Sequence, residues 1–302
     1  VKNITVGGQL KIQGNIHFGV SGPPTLPQSG AIVAYSLRKL FNSYNGYALR
    51  VRRAGDLQTL DIGFTNYNVL DVNSIIAFCG NQTGQVVIWY DQSGNGYNAG
   101  PGNSGYGVSF PIIYDGTNIQ KTSNDLPAIN FNKAYGLVTS NTIPNITFES
   151  FFAVEQHPPS VDEKNQRLYS KRRHDLLVSH ITPEFVTYYG YRRGTGGVEV
   201  NSLLIGGIAN IINIIEVTAP TTETADLRHN GTTSIGSIQT GGALQDNNGF
   251  PLSLGVNLFN APSPGAGNFF TGYISEFIAY NEDQAAYRKQ IFDNINYYYK
   301  AV

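Results

Sequence analysis

Apolar side chains mostly fall at every second position across residues 1–20: Ile4, Val6, Leu10, Ile12, Ile16 and Phe18, with Gly7, Gly8 and Gly14 between them. That spacing predicts strand–turn–strand. Pro23, Pro24 and Pro27 then break regular pairing and predict a stiff, extended connector up to Gly30. From Ala31 to Asn42 the pattern changes. Ile32, Val33, Leu37, Leu40 and Phe41 sit near helical spacing and predict a helix, ended by Asn45-Gly46. Leu49 and Val51 alternate with Arg50 and Arg52, which predicts a half-buried strand over 48–53. Asp71 is placed to cap a short helix through Phe78. Val86 to Tyr90 is continuously apolar and predicts a central strand covered on both faces.

Beyond residue 110 the chain reads mostly as strands. They are expected over 128–131, 148–154, 176–179, 185–191, 211–217, 225–229, 252–256 and 270–280, separated by Gly/Asn/Pro/Ser clusters. The last element returns to helical period. Asn281 or Asp283 would cap a helix from Gln284 to Tyr299, with Ala285, Ile291, Ile295 and Tyr298 along one side. The division expected is an N-terminal β arm and connector, residues 1–30, serving attachment or oligomerisation, and a single domain, residues 31–302.

Composition narrows the classes of function. With net charge −1 and 14% charged residues, the chain lacks the basic face expected of a nucleic-acid binder. The single cysteine, Cys79, excludes an intrachain disulfide and a cysteine zinc site, and its apolar neighbours predict a buried thiol. So few cysteines favour assembly in a reducing cytosol. There is no apolar run of membrane-spanning length and no signal-peptide pattern. Sequons at Asn3, Asn81, Asn145 and Asn230 match chance in a chain rich in Asn, Ser and Thr.

The segment Val-Val-Ile-Trp-Tyr-Asp-Gln-Ser-Gly-Asn-Gly-Tyr-Asn, residues 86–98, runs a strand straight into a turn. It resembles the WYDQSGNG turn of concanavalin-like jelly-roll domains, among them laminin-G-like domains and the catalytic domain of family 54 α-L-arabinofuranosidases. Ala34-Tyr35-Ser36-Leu37-Arg38 with Ser43-Tyr44-Asn45-Gly46 is similar to the opening of that catalytic domain. The strand Leu49–Arg53, Asp61-Ile62, and Phe78-Cys79 with Asn81-Gln82-Thr83 follow in the same order. Leu126–Phe131 and Gly272–Tyr280 resemble later strands of these domains. The resemblance implies an all-β, concanavalin A-like jelly-roll β-sandwich, here with short peripheral helices and a C-terminal helix.

Asp91, Ser93 and Asn95 can bond nearby amides while Gly94 and Gly96 take positive φ, so a structural turn is expected. Calcium is the alternative cofactor, with Asp91, Asn95 and Asp115 as ligands, although no EF-hand spacing occurs. Glycoside hydrolysis needs two carboxyl groups flanking the bond. The family acid/base is an Asp in a Gly-Gly-Asp-Asn segment. The matching stretch here is Leu254-Gly255-Val256-Asn257-Leu258-Phe259-Asn260, which puts Phe259 at the Asp position. The family's nucleophile segment, Asp-Met/Leu-Glu-Asn, and its adjacent cysteine pair are missing. Glu155, Glu184, Glu199 and Glu216 are the replacements at hand. There is no Gly-x-Ser-x-Gly elbow, and the histidines lack metal-ligand spacing.

Glycan binding is expected of Tyr188, Tyr189, Tyr191, Arg192 and Arg193, which gather aromatic and guanidinium groups by a Gly-rich turn, together with Asn257 and Asn260. The expectation from these readings is a non-catalytic bacteriophage virion protein: a tail fibre, head fibre or capsid decoration. It would be assembled in the host cytoplasm, displayed on the virion surface, and bound to host polysaccharide. Residues 1–30 would join it to other virion proteins or trimerise it, with no nucleic acid and no membrane insertion. The alternatives are a divergent glycoside hydrolase of arabinofuranosidase type and a secreted bacterial lectin or adhesin.

Overall fold

Runs that alternate or stay continuously apolar become strands in the computed structural model. It describes residues 22–100, 109–132, 134–139, 143, 150–158, 166–171, 174–181, 186–193, 206–207, 209–218, 224–231, 237–239, 251–257 and 269–301. The first half contains β1 (Ala31–Ser36), β2 (Leu49–Arg53), β3 (Thr59–Ile62), helix α1 (Val72–Cys79), β4 (Gly84–Trp89), β5 (Ala99–Gly100), β6 (Ile112–Tyr114), β7 (Ile129–Phe131) and β8 (Leu137–Thr139). The second half contains β9 (Ser150–Gln156), β10 (Gln166–Lys171), β11 (His174–Ile181), β12 (Val186–Arg193), β13 (Gly206–Gly207), β14 (Asn213–Thr218), β15 (Thr224–His229), β16 (Ser237–Gln239), β17 (Ser253–Leu254), β18 (Gly272–Tyr280) and helix α2 (Arg288–Tyr299).

Pairing between these strands is antiparallel. One layer runs β3–β2–β4–β5–β8–β17–β10–β11–β12–β13. The other runs β1–β18–β9–β14–β15–β16. β6 and β7 carry the pairing across the corner from β4 to β18. The result is the all-β jelly-roll sandwich that the sequence predicts.

The main core lies between the layers. Val33, Tyr35, Trp89, Phe151, Ile215 and Phe277 all enter it. The Tyr35 and Trp89 rings sit 5.8 Å apart, and Phe151 meets Tyr169 edge-on at 4.9 Å. Each fully buried large apolar side chain contributes roughly 1.5–3 kcal/mol. A second core forms on the back of β1, β9, β14 and β18, where Ala34, Phe152, Ile214 and Ile278 receive Ile291, Ile295 and Tyr299 of α2. Alternate residues of these strands therefore face two different cores.

That double burial corrects one expectation. Residues 31–36 form β1, not the start of a helix. Val33 and Tyr35 enter the inter-layer core while Ala34 enters the helix-side core, so the strand is apolar on both faces and imitates helical spacing. Helix α1 forms as expected, with the Asp71 carboxylate accepting from the Ser74 N–H at 3.1 Å. Helix α2 starts later than expected, at Arg288, because Asp283 closes a local turn onto Ala285 N–H at 2.9 Å.

Residues 1–21 lie outside the described residues. Residues 22–26 do not stand off as a spacer. Leu26 is buried and donates its N–H to Leu40, while the Pro24 carbonyl accepts from Arg38. Among the described residues no helix is long and apolar enough to cross a membrane.

Candidate functional site

The segment that resembles a family motif forms a staple between β1 and β4. Trp89 is driven fully into the core, and the chain then turns at a buried Asp91. Its Oδ1 accepts from Ala34 N–H and Ser93 N–H, both at 2.9 Å. Its Oδ2 accepts from Ser93 Oγ at 2.7 Å and Tyr97 N–H at 3.1 Å. Gln92 reaches the other way: Oε1 accepts from Leu40 N–H, and Nε2 donates to the Ser36 and Arg38 carbonyls. Asn95 donates to the Ala31 and Ile32 carbonyls, and Gly94 and Gly96 hold φ of 91° and 78°. Tyr35 closes the staple by donating its hydroxyl to the Tyr97 carbonyl.

Both oxygens of Asp91 are thus occupied by protein donors, which leaves calcium little to bind. Asp115 is engaged by its own turn, accepting from Thr117 and Asn118 N–H at 2.8 and 2.7 Å. Those backbone donors hold its carboxyl below the usual range. Among the described residues no group of three His, Cys, Asp or Glu side chains could hold a metal ion. Cys79 is buried, and burial pushes its thiol upward.

The expected glycan contacts fall on two elements. Tyr188, Tyr189, Tyr191, Arg192 and Arg193 lie on β12, in register with Ser179, Val178, Leu176, Asp175 and His174 of β11. Asn257 follows β17, is buried, and accepts from Ser170 Oγ of β10 at 3.2 Å. Asn260 and Phe259 lie outside the described residues, as do Glu184 and Glu199.

The two described replacement carboxylates have different surroundings. Glu216 of β14 is buried on the helix side, where Arg288 of α2 donates to it at 2.7 Å. Burial raises its carboxyl, and Arg288 only partly offsets that. It pins the helix to the sheet. Glu155, at the end of β9, is fully buried with His157, whose Nδ1 lies 3.1 and 3.0 Å from its two oxygens. Next to them in the sheet, Asn213 pairs with Glu155 across β14, and its Oδ1 lies 2.6 Å from His229 Nε2.

The two histidines are driven apart. Burial works against charge on His157, but the Glu155 charge and hydrogen bond outweigh it and hold the imidazole above its ordinary range. His229 is held below its ordinary range, by burial first and the neighbouring His157 besides. His157 lines a cavity of about 230 Å³ with Asn130, Asn132, Asn210 and Tyr273. This pair was missed from sequence. Its signal is Glu155-Gln156-His157 at the end of β9, where a spacing of two in extended chain puts both side chains on one side. A larger recess of about 710 Å³, between α1, the 117–121 turn and Tyr298, is lined mainly by apolar side chains.

Residues 27–151 match the family model described as alpha-L-arabinofuranosidase B, catalytic. The chain is 35% identical over 125 residues to alpha-L-arabinofuranosidase B of Emericella nidulans, covering 40% of this chain and 24% of that protein. It is 30% identical over 125 residues to a probable alpha-L-arabinofuranosidase B of Aspergillus niger, covering 40% and 25%. The match thus spans about a quarter of the length of these curated relatives. Among solved structures, a family 54 arabinofuranosidase soaked with a cyclic sulfate inhibitor superposes with a TM-score of 0.69 at 15% identity, over 89% of this chain and 63% of that one. An arabinofuranosidase complexed with arabinofuranosyl-alpha-1,2-xylobiose gives 0.65 at 15% identity, with the same coverage. These likenesses establish the shared fold.

The comparisons overturn the expectation of a non-catalytic phage virion protein. They place residues 27–151 beside the catalytic domain of arabinofuranosidases, and neither the tail-fibre, head-fibre and capsid-decoration roles nor a place on the virion surface has any support. The expectation that the chain is not an enzyme falls with it. That expectation rested on two missing short segments. A glycosidic bond requires carboxyl groups at the right separation, and these can be presented from any strand lining the site.

Proposed function

We infer that this chain is a glycoside hydrolase that releases α-L-arabinofuranosyl residues. The observation that carries this reading is the match of residues 27–151 to an arabinofuranosidase catalytic model. The sandwich supplies a rigid frame, and the chemistry needs two carboxyl groups about 5 Å apart for retention, or further apart for inversion.

Glu216 is unsuited, since Arg288 holds it on the helix side of the sheet. Glu155, Glu184 and Glu199 are the carboxylates assigned to the reaction. Glu155 stands behind His157, which lines the 230 Å³ cavity. Glu199 falls in the connection between β12 and β13. Tyr188, Tyr189, Tyr191, Arg192 and Arg193 are on the strand that leads into that connection, where they would supply ring faces and guanidinium donors to the sugar. A polymeric substrate places the work outside the cell.

Release of 4-nitrophenol from 4-nitrophenyl α-L-arabinofuranoside tests the reading. Turnover by the native chain is expected, with Gln replacements of Glu155, Glu184 and Glu199 made one at a time. At least one replacement should lower kcat by roughly a thousandfold or more, the scale seen when a group acting in the transition state is removed. A folded native chain that releases no product between pH 4 and 8, from this substrate or from arabinose-substituted xylo-oligosaccharides, would overturn it.

A further inference from the structure

Two turns beside β2 and β3 enclose a groove of about 320 Å³ that the proposed chemistry does not use. Tyr44 and Phe64 form its aromatic lining, packed edge to face at 6.4 Å. Asn45, Thr65, Asn66 and Asn68 add amide and hydroxyl groups along it. Among the described residues Lys39 is its one charged lining side chain. An exposed tyrosine stands in each turn: Tyr47, 51% exposed, and Tyr67, 55% exposed.

The groove is built before any ligand arrives. Tyr44 Oη donates to the Tyr47 carbonyl at 2.8 Å and fixes the first turn. Thr65 N–H bonds to the Val69 carbonyl and Asn68 N–H to the Thr65 carbonyl, while Lys39 N–H ties the second turn to the domain through the Asn68 carbonyl. Binding here would order little, so little affinity is lost to entropy.

Beyond Tyr47 the surface continues in the same chemistry. The Tyr47 ring lies 6.1 Å from Tyr90. Tyr90 donates to Asp61 at 2.6 Å, and Arg50 grips both oxygens of Asp61 at 2.8 and 2.7 Å. Arg50 and Asp61 cancel each other's charge, yet both stay partly exposed, at 39% and 25%. Ring faces, amides and a neutralised fork suit hydroxyl-rich, uncharged rings.

We propose that this groove binds a neutral polysaccharide chain, with Tyr47 and Tyr67 as the surfaces on which sugar rings stack. It goes beyond the hydrolase reading, because it concerns how a polymer is held away from the reacting bond. Native gels cast with soluble arabinoxylan, debranched arabinan or dextran measure it on the full chain. Retardation is expected in at least one of these neutral polymers. Tyr47→Ala with Tyr67→Ala should weaken it roughly tenfold or more, and Asn66→Ala by less, as expected when central aromatic contacts are removed. Turnover of 4-nitrophenyl α-L-arabinofuranoside should stay unchanged in both variants. The proposal fails if the native chain is not retarded, or if folded variants are retarded as strongly as it is. It fails as well if the variants lose turnover of the small substrate, since the tyrosines would then belong to the catalytic site. Retardation without any turnover leaves the groove standing and removes the hydrolase reading instead.

Discussion

Arg38→Met should be among the most damaging single changes in this domain. Arg38, on the segment after β1, and Glu276, on β18, are both wholly buried, and their side chains meet in a two-pronged pair. Arg38 Nε and one terminal nitrogen each donate to Glu276 at 2.9 Å. The other terminal nitrogen donates to the Pro24 carbonyl and Asn294 Oδ1 of α2. Glu276 also accepts from Ser36 Oγ at 2.7 Å and Tyr299 Oη at 3.2 Å. Arg38→Met removes four charge-assisted bonds, two of them to Glu276, each worth about 1.5–3 kcal/mol, and leaves a buried carboxylate with two hydroxyl donors. Breaking a buried pair this way costs about 3–5 kcal/mol. At roughly 2–4 °C per kcal/mol for a large domain, Tm should fall by roughly 6–20 °C in a thermal melt followed by circular dichroism. Arg38→Met combined with Glu276→Leu should recover part of that loss, because no unpaired charge then remains. An Arg38→Met variant that loses less than about 1 kcal/mol, with no recovery in the double variant, would refute the burial of this pair.

The Asp91 staple should respond in graded fashion: Asp91→Asn keeps part of the acceptor set, whereas Asp91→Ala strands the Ala34 N–H and should cost more in urea denaturation, by about 1–3 kcal/mol. The histidines should shape the pH dependence of Tm in opposite senses. His157 is raised, so its contribution is full below about 6.5, its unfolded value, and is lost as pH climbs through the higher folded value. His229 is lowered, so it erodes stability as pH falls below about 6.5. His157→Gln should therefore flatten the alkaline side of the profile and His229→Gln the acid side, in melts from pH 5 to 9. Gly255→Ala should destabilise by more than 2 kcal/mol, roughly, in the same urea assay, because φ is +74° there and a Cβ would lie 2.3 Å from the Phe131 ring. Chelation with EDTA should leave Tm unmoved, since protein donors occupy both oxygens of Asp91.

Strands were legible in the sequence where flanking turn residues set them off, as for β9, β14 and β18, even though these lie between two cores. Leu49 and Val51 point inward while Arg50 and Arg52 stay at the surface, so β2 reads directly as a strand. α1 is announced by Asp71, whose capping bond is in place. β1 misleads because both its faces are covered. β10 was not predicted for the opposite reason: Gln166, Arg167, Ser170 and Lys171 are polar, yet all are buried, so a core strand carries the composition of a loop. The staple at Asp91 was readable because its turn is built by local bonds, Asp91 accepting from Ser93 and Tyr97, on a contiguous segment with two positive-φ glycines. The Glu155–His157 pair was not, because its partners Asn213 and His229 arrive from β14 and β15, more than fifty residues away.

The two halves of the chain stand differently toward their relatives. The matching segment, 27–151, holds β1 to the start of β9, the Asp91 staple and the hairpin of β2 and β3. These residues set the frame of the sandwich. The fold likeness, in contrast, extends over 89% of the chain at 15% identity. The family model stops before β10 to β17, which include β12 with its tyrosine–arginine run and the strand that precedes Asn257. A frame needs a fixed pattern of buried groups, since a methylene lost from a packed core is felt at once. A site needs only a few groups at the right separation, and those can move between strands while the frame stays put. The absence of a family motif in this half therefore bears on which residues act and on which sugar is accepted. It does not bear on whether the frame can hold them. On the proposed hydrolase reading, substrate tests should accordingly begin with a broad set of arabinose-bearing polymers, and the search for acting carboxylates should begin between β9 and β13.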